Sequence, residues 1–415
     1  MQLGDVANPE AVSYGKPLDG VRVLALEQMQ ALPFATQLLS RLGADVVKIE
    51  APNGGDSGRG SLPAMKDPEG RAVGATFLRN NLNKRSVVVD LKQPKGRDLV
   101  LALVPRFDVV AENFKAGALA RLGLGYADVS AVHPGVVYAS VSGFGNGVPR
   151  SPYADWPAYA SVAEAMSGIY EFKRTDGEPP VISPVGGLGD ISAALFACIG
   201  VLAALRHRDA TGQGQYVDIS MLDAMVAMTD IVPNFWSMGL RNGAIGPVLM
   251  TGFRASDGWF MLQVGREHQF AALAEIVGHP EWVGDPRFAS RQGWLDHLET
   301  DIRPAIEEWA SGRTKLAAAE ALSTAGLPAG PCLSDEEVVH DPHVALRNML
   351  VELPRSDGVA QAVLIPGNPV KLSKVAEGPE RRVPWLGEHT DQVLRDELGV
   401  GDDERRALRE AGVIG

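Results

Sequence analysis

The chain has 415 residues, 45% hydrophobic and 22% charged, as expected of a globular protein large enough for two domains. Its 51 acidic and 39 basic residues leave a formal charge of −12, without a Lys/Arg-rich run or basic–aromatic interleaving, which argues against nucleic acid as a partner. The longest uncharged apolar run, Ile191 to Leu205, falls short of the roughly 20 residues of a membrane span and ends in Arg206-His-Arg208, so no membrane association is expected.

Residues 1–19 are polar and lack a signal-peptide core. Two cysteines, Cys198 and Cys332, are too few for a disulfide framework and fit a reducing cytoplasm. Val21 to Leu26 reads as a buried strand, Phe34 to Leu42 as a helix ended by Gly43, and Asp45 to Glu50 as the next strand. Strand–helix–strand opens a parallel α/β domain, yet the first turn has no Gly-x-Gly-x-x-Gly dinucleotide fingerprint. A Gly/Pro/Asp-rich loop (51–71) leads to a strand around Val87–Val89, entered by Lys84 and Arg85. A helix from Pro94 to about Leu103, strands at 108–111 and 136–142, and a helix at 153–166 continue the pattern.

The central stretch is Gly186-Gly-Leu-Gly-Asp190 followed by the Ala/Leu-rich segment to Leu205. It predicts a buried helix with Asp190 as its N-cap, kept ionised by the helix dipole. Taken alone this is an ordinary cap; the adjacent glycines also allow close approach of a ligand, which suits a carboxylate nucleophile. Further on, Tyr216 to Ser220 reads as a strand and Phe253 to Val264 as a hairpin around Asp257-Gly258, with a final amphipathic helix closing the chain. The expected organisation is a large α/β domain (1–224), a linker (225–250), a small α+β domain (251–325), a second linker (326–340) and a segment returning to the large domain (341–415).

The eight histidines show no metal-ligand spacing, and His340-Asp-Pro-His343 reads as a surface turn, so no metal site is expected. Neither a Gly-x-Ser-x-Gly elbow nor a Walker A motif is present.

In order along the chain stand Pro17-Leu-Asp-Gly-Val-Arg-Val-Leu, Leu42-Gly-Ala-Asp-Val-Val-Lys-Ile-Glu, Asn83-Lys-Arg-Ser, Glu112-Asn-Phe-Lys-Ala-Gly-Ala-Leu, Ser142-Gly-Phe-Gly, Gly189-Asp, Thr211-Gly-Gln-Gly-Gln, Gly330-Pro and Leu386-Gly-Glu-His-Thr-Asp. Together they resemble the family III CoA-transferases, which include formyl-CoA and carnitine CoA-transferases and α-methylacyl-CoA racemases. The resemblance implies a Rossmann-like parallel-sheet domain with a smaller α+β domain, in an interlocked homodimer. It also implies no tightly bound cofactor, coenzyme A thioesters as substrates, and carboxylic acids as acceptors.

By the same resemblance Asp190 is the nucleophile, forming a mixed anhydride and then an aspartyl-CoA thioester. Gln30 matches the glutamine beside it, and Tyr159 matches a pocket tyrosine. Asn113, Phe114, Ala118 and Arg121 match the CoA nucleotide surface, with Lys84 and Arg85 nearby; the last two also read as plain strand-edge charges. Ala51 and Thr76 stand where formyl-CoA transferase has arginine and tyrosine, and only Asn242-Gly-Ala-Ile-Gly246 offers a counterpart to its glycine loop, which weakens a formate/oxalate reading. Trp156 and Trp236, with few basic residues nearby, suggest a partly apolar acid. The alternatives are a racemase on the same fold and a non-catalytic acyl-CoA-binding homologue. A racemase needs an acid–base pair, and it has histidine where this chain has Tyr159; a phenol of pKa about 10 shuttles an α-proton poorly.

Overall fold

Six short strands form one parallel sheet: β1 (Arg22–Leu26), β2 (Asp45–Glu50), β3 (Arg85–Val88), β4 (Val109–Glu112), β5 (Val137–Ser142) and β6 (Gln215–Ser220). The computed structural model describes residues 1–147, 149–172, 174, 177–240 and 246–415. The strand order is β3-β2-β1-β4-β5-β6, the doubly wound order whose direction of winding reverses between β1 and β4. β4 and β5 are buried along their whole length, which is why they read as continuous Val/Ala-rich runs rather than as polar–apolar alternations.

Successive side chains still point to opposite faces. Val23, Ala25, Val46, Val109, Ala111, Val137 and Ala139 face a core shared with α1 (Ala31–Arg41) and with a long helix, Leu188–Thr211. Leu24, Leu26, Val47, Val110 and Tyr138 face a second core, shared with the helix Pro94–Leu103 and with the C-terminal residues Val393, Leu394, Leu408 and Ile414. In α1, Leu32 and Leu39 are almost wholly excluded from solvent, each contributing roughly 1.5–3 kcal/mol.

Several elements differ from their sequence readings. α1 begins at Ala31, three residues early, because Pro33 sits in the first turn, where its missing N–H has no helical partner to lose. In the expected helix 153–166 only α2 (Ala160–Met166) is helical: Pro157 biases Trp156 towards extended backbone, and Tyr159, itself extended, precedes the helix. The long helix, α3 (Leu188–Thr211), starts on Gly187, which adopts the left-handed conformation at φ 88° and ψ 51°. Asp190 therefore lies in its first turn and is not its N-cap. The helices α4 (Met221–Met228) and α5 (Ile231–Ser237) occupy much of the stretch read as a linker. Although α3 has 24 residues and is apolar enough by composition to cross a membrane, Ala193, Ala194, Ala197 and Val201 are buried in the sheet core.

Contacts divide the chain into two units, Met1–Asn242 with Ala345–Gly415, and Gly243–Val344. In the second, β7 (Leu249–Ala255) pairs antiparallel with β8 (Gly258–Val264), and β9 (Ala329–Pro331) flanks β8 on its other side. Phe253, Phe260, Phe270 and Trp294 fill its core, with Phe270 stacked on Trp294 at 4.6 Å.

Candidate active site

Where the winding reverses, the loops after β1 and β4 part and leave a cleft of about 270 Å³. Gln28, Gln30, Asn113, Phe114, Tyr159 and Asp190 all line it.

The β1 loop is fixed from below by buried charge. Glu27 accepts from Lys84 Nζ at 2.7 Å and from the Thr36 hydroxyl at 2.8 Å, and Lys48 Nζ lies 3.4 Å away. Lys48 also pairs with Asp56 Oδ2 at 2.8 Å. Asp56 Oδ1 in turn accepts the backbone N–H of Met29 at 2.8 Å. Met29 itself is held at φ 64°, a costly conformation for a residue with a side chain, sustained here by this network. Burial opposes the charge on Glu27, but the two ammonium groups hold its pKa below the ordinary value. The next residue, Gln30, is thereby delivered to the cleft in a fixed orientation.

Asn113 ties the two loops together: its Oδ1 accepts the Gln28 N–H and its Nδ2 donates to the Gln28 carbonyl, both at 2.9 Å. Below it Glu112 accepts the Phe114 N–H at 2.9 Å and the Ser140 hydroxyl. Burial pushes the Glu112 carboxyl up to about 7.

Asp190 and Gln30 both border Gly187. A Cβ added at Gly187 would lie 3.1 Å from both Asp190 Oδ2 and Gln30 Nε2, so a side chain there would crowd both polar groups. Gln30 Nε2 donates to the Gly186 carbonyl at 3.1 Å, and its Oε1 accepts from Arg79 Nη2 at 2.6 Å. Burial raises the Asp190 pKa to about 6, with the neighbouring Glu164 adding to the rise and Arg79 opposing it. The desolvated surroundings of Asp190 and a second carboxylate thus weaken its acidity, and it stays mostly ionised at neutral pH.

Tyr159 lines the cleft and is 74% exposed. Ala118 and Arg121 lie on the short helix Ala118–Arg121 that follows the β4 loop. The Arg121 guanidinium bends back over that loop, with Nη1 3.2 Å from the position of a Cβ on Gly117.

Lys84 and Arg85 do not join this group. All three Lys84 donor positions are taken, by Glu27, by the Pro33 carbonyl at 2.9 Å and by Asn81 Oδ1 at 3.0 Å. Arg85 enters β3 at the opposite end of the sheet, where it forks onto Asp45 at the start of β2. Both charges read as available from sequence because their acidic partners are distant in the chain. Of the two tryptophans, Trp156 lines the cleft and packs edge-on to Phe144 at 6.3 Å, whereas Trp236 lies on α5 and is not among the lining residues. Asn242 to Ile245, the counterpart of the glycine loop, lie outside the described residues.

Two charged residues of the site were not singled out from sequence as site residues. Glu164, almost fully buried, accepts the Gly189 N–H at 3.0 Å and the Tyr170 hydroxyl. Arg79 is the other. The only sequence signal for it was its position just ahead of the Asn83-Lys-Arg-Ser motif.

The family model of CoA-transferase family III matches residues 18–390. The chain is 34% identical to a formyl-CoA:oxalate CoA-transferase of Streptomyces avermitilis, over 96% of this chain and 100% of that protein. It is also 34% identical to a succinyl-CoA:mesaconate CoA-transferase of Haloarcula hispanica (94% and 98% covered) and to a succinyl-CoA–D-citramalate CoA-transferase of Chloroflexus aurantiacus (96% and 98%). Among solved structures it is similar to a CAIB/BAIF family protein from Brucella suis, at a TM-score of 0.79 and 30% identity over 92% of this chain and 100% of that one. Sequence match, sheet order and full-length coverage agree: the chain belongs to CoA-transferase family III.

Proposed function

We propose that this CoA-transferase moves coenzyme A from an acyl-CoA to a carboxylic acid through covalent intermediates on Asp190. The observation that carries the reading is a partly desolvated carboxylate at the edge of a cleft, beside Gln30 and uncovered by any side chain at Gly187. A carboxylate stripped of water is a stronger nucleophile, and a pKa of about 6 leaves it mostly ionised at neutral pH.

An Asp190 oxygen attacks the thioester carbonyl, the C–S bond breaks, and CoA departs as the thiolate, leaving a mixed anhydride. The thiolate attacks the aspartyl carbonyl and releases the donor acid as its carboxylate. An acceptor carboxylate then attacks the aspartyl-CoA thioester, forming a second anhydride and freeing the thiolate again. Attack of that thiolate on the acceptor carbonyl yields the new thioester and restores Asp190. Gln30 Nε2 has one N–H engaged by Gly186 and a second to offer a developing oxyanion.

The CoA chain runs along Asn113, Phe114, Ala118 and Arg121, with Arg121 supplying charge for phosphate. Tyr159 closes the acyl side of the cleft. Lys84 and Arg85 act on CoA only indirectly, through the framework they hold.

The enzyme works in the cytoplasm, where the free thiols of Cys198 and Cys332 suit a reducing environment. It forms an interlocked homodimer, which would cover Leu195, Ile199 and Leu202 on the outer face of α3 and Met228 and Met238 beyond it, all exposed in the single chain. Light scattering should then return twice the chain mass; a monomer at micromolar concentration would refute the dimer. For the chemistry, hydroxylamine trapping with a panel of acyl-CoAs is the test, and absence of transfer to every acid offered would refute the reading.

A further inference from the structure

The Arg79 guanidinium donates one hydrogen bond, from Nη2 to Gln30 Oε1 at 2.6 Å. Its Nε and Nη1 bond to nothing among the described residues and are not sealed from solvent. Arginine carries five N–H donors in a rigid fork matched to a carboxylate, and a half-buried guanidinium is an expensive way to satisfy one amide oxygen. The neighbouring charges are otherwise engaged. Lys48 and Lys84 serve Glu27 and Asp56, and Glu164 is held by Gly189 and Tyr170.

Burial lowers the Arg79 pKa, and the Asp190 charge opposes that fall. Under the proposed mechanism Asp190 becomes an anhydride or thioester and loses that charge. Arg79, one hydrogen bond away from the cleft residue Gln30, then stands partly desolvated without a free counter-ion. A substrate carboxylate is the group that supplies one.

We infer that Arg79 is a specificity-determining residue that pairs with a second carboxylate on the acid exchanged at Asp190, so that the preferred substrates are short dicarboxylic acids and their mono-CoA thioesters. This rests on the proposed transferase function. It differs from the expectation of a partly apolar acid, which rested on Trp156 and Trp236 with few basic residues nearby. Because donor and acceptor acids pass through the same position, the preference applies to both.

The test compares succinate with butyrate, four-carbon acids differing by one carboxylate, as acceptors from whichever acyl-CoA the wild-type enzyme uses best. Wild type should favour succinate in kcat/KM. Arg79→Met loosens Gln30 and lowers both rates, but the succinate-to-butyrate ratio should fall by about 10- to 100-fold, the loss expected for one charge-assisted pair. Arg79→Lys should restore part of that ratio. Gln30→Ala should lower both rates and leave the ratio within a few fold of wild type. A ratio unmoved in Arg79→Met, or a wild-type preference for butyrate, overturns the inference while leaving the transferase reading intact. A wild-type enzyme that transfers CoA to no acid at all overturns the transferase reading and this inference with it. If Arg79→Met does not fold, the ratio in Arg79→Lys decides, and a value equal to wild type counts against the inference.

Discussion

Glu164 Oε1 accepts the backbone N–H of Gly189 at 3.0 Å, so a buried carboxylate fixes the peptide that leads into Asp190. The same carboxylate raises the Asp190 pKa, after the larger effect of burial. Position and acidity of Asp190 are thus coupled through one side chain. In Glu164→Gln an amide oxygen can still accept the Gly189 N–H while the negative charge is gone. The acid limb of kcat/KM, expected near pH 6 in the wild type, should move to lower pH. Below that limb the rate should drop about tenfold per pH unit, as the ionised fraction does. A limb that stays in place would show that Glu164 positions Asp190 without tuning it.

Gly187 combines φ 88° with a Cα face open to both Asp190 and Gln30. Gly187→Ala should cost about 1–2 kcal/mol of stability through the left-handed backbone. It should also lower kcat by roughly 10- to 100-fold by crowding the two groups. Thermal melts and steady-state rates check both. Unchanged kcat would mean that crowding the two groups at Gly187 does not disturb the reaction.

Glu112 bears on stability rather than rate. Its folded pKa of about 7 lies above the ordinary 4.5 because of burial, so the folded protein holds a proton that the unfolded chain releases. The stability contributed is full below about pH 4.5 and lost as pH rises through 7, on the order of 3 kcal/mol over the window. Glu112→Gln stays neutral throughout. Its unfolding free energy should gain on the wild type between about pH 4.5 and pH 7 and hold that gain above it, and a pH-independent difference would contradict the assignment.

Lys84 and Arg121 should separate cleanly. Lys84→Met leaves Glu27 buried with one cation fewer and should destabilise the fold by about 3–5 kcal/mol in denaturant titrations. The exposed Arg121→Ala should leave the melting temperature within a degree or two while raising KM for acyl-CoA about 5- to 30-fold. The opposite pattern would return Lys84 to the CoA surface.

Asp190 was legible from sequence as a carboxylate at a glycine-rich helix start, whereas Gln30 came forward only through the resemblance to the family. The alternating strands and helices were legible because parallel strands buried on both faces leave short, dense apolar runs. What did not show was pairing across distance. Lys84 owes its burial to Glu27, 57 positions away, and Arg79 reaches Gln30 across 49 positions. The link runs through α1, where Gln37 Nε2 binds the Arg79 carbonyl at 2.9 Å. No periodicity encodes such a contact. The late start of the expected helix at 153–166 had a visible cause in Pro157, which the run of small residues masked.

The central claim, a covalent acyl or CoA intermediate on Asp190, is tested most directly by intact-protein mass after mixing with an acyl-CoA panel, with and without hydroxylamine, followed by peptide mapping. The account predicts a hydroxylamine-sensitive adduct on the peptide containing Asp190, carried as a hydroxamate after treatment and absent in Asp190→Ala. CoA transfer that proceeds with no adduct on that peptide, or that survives in Asp190→Ala, would contradict it.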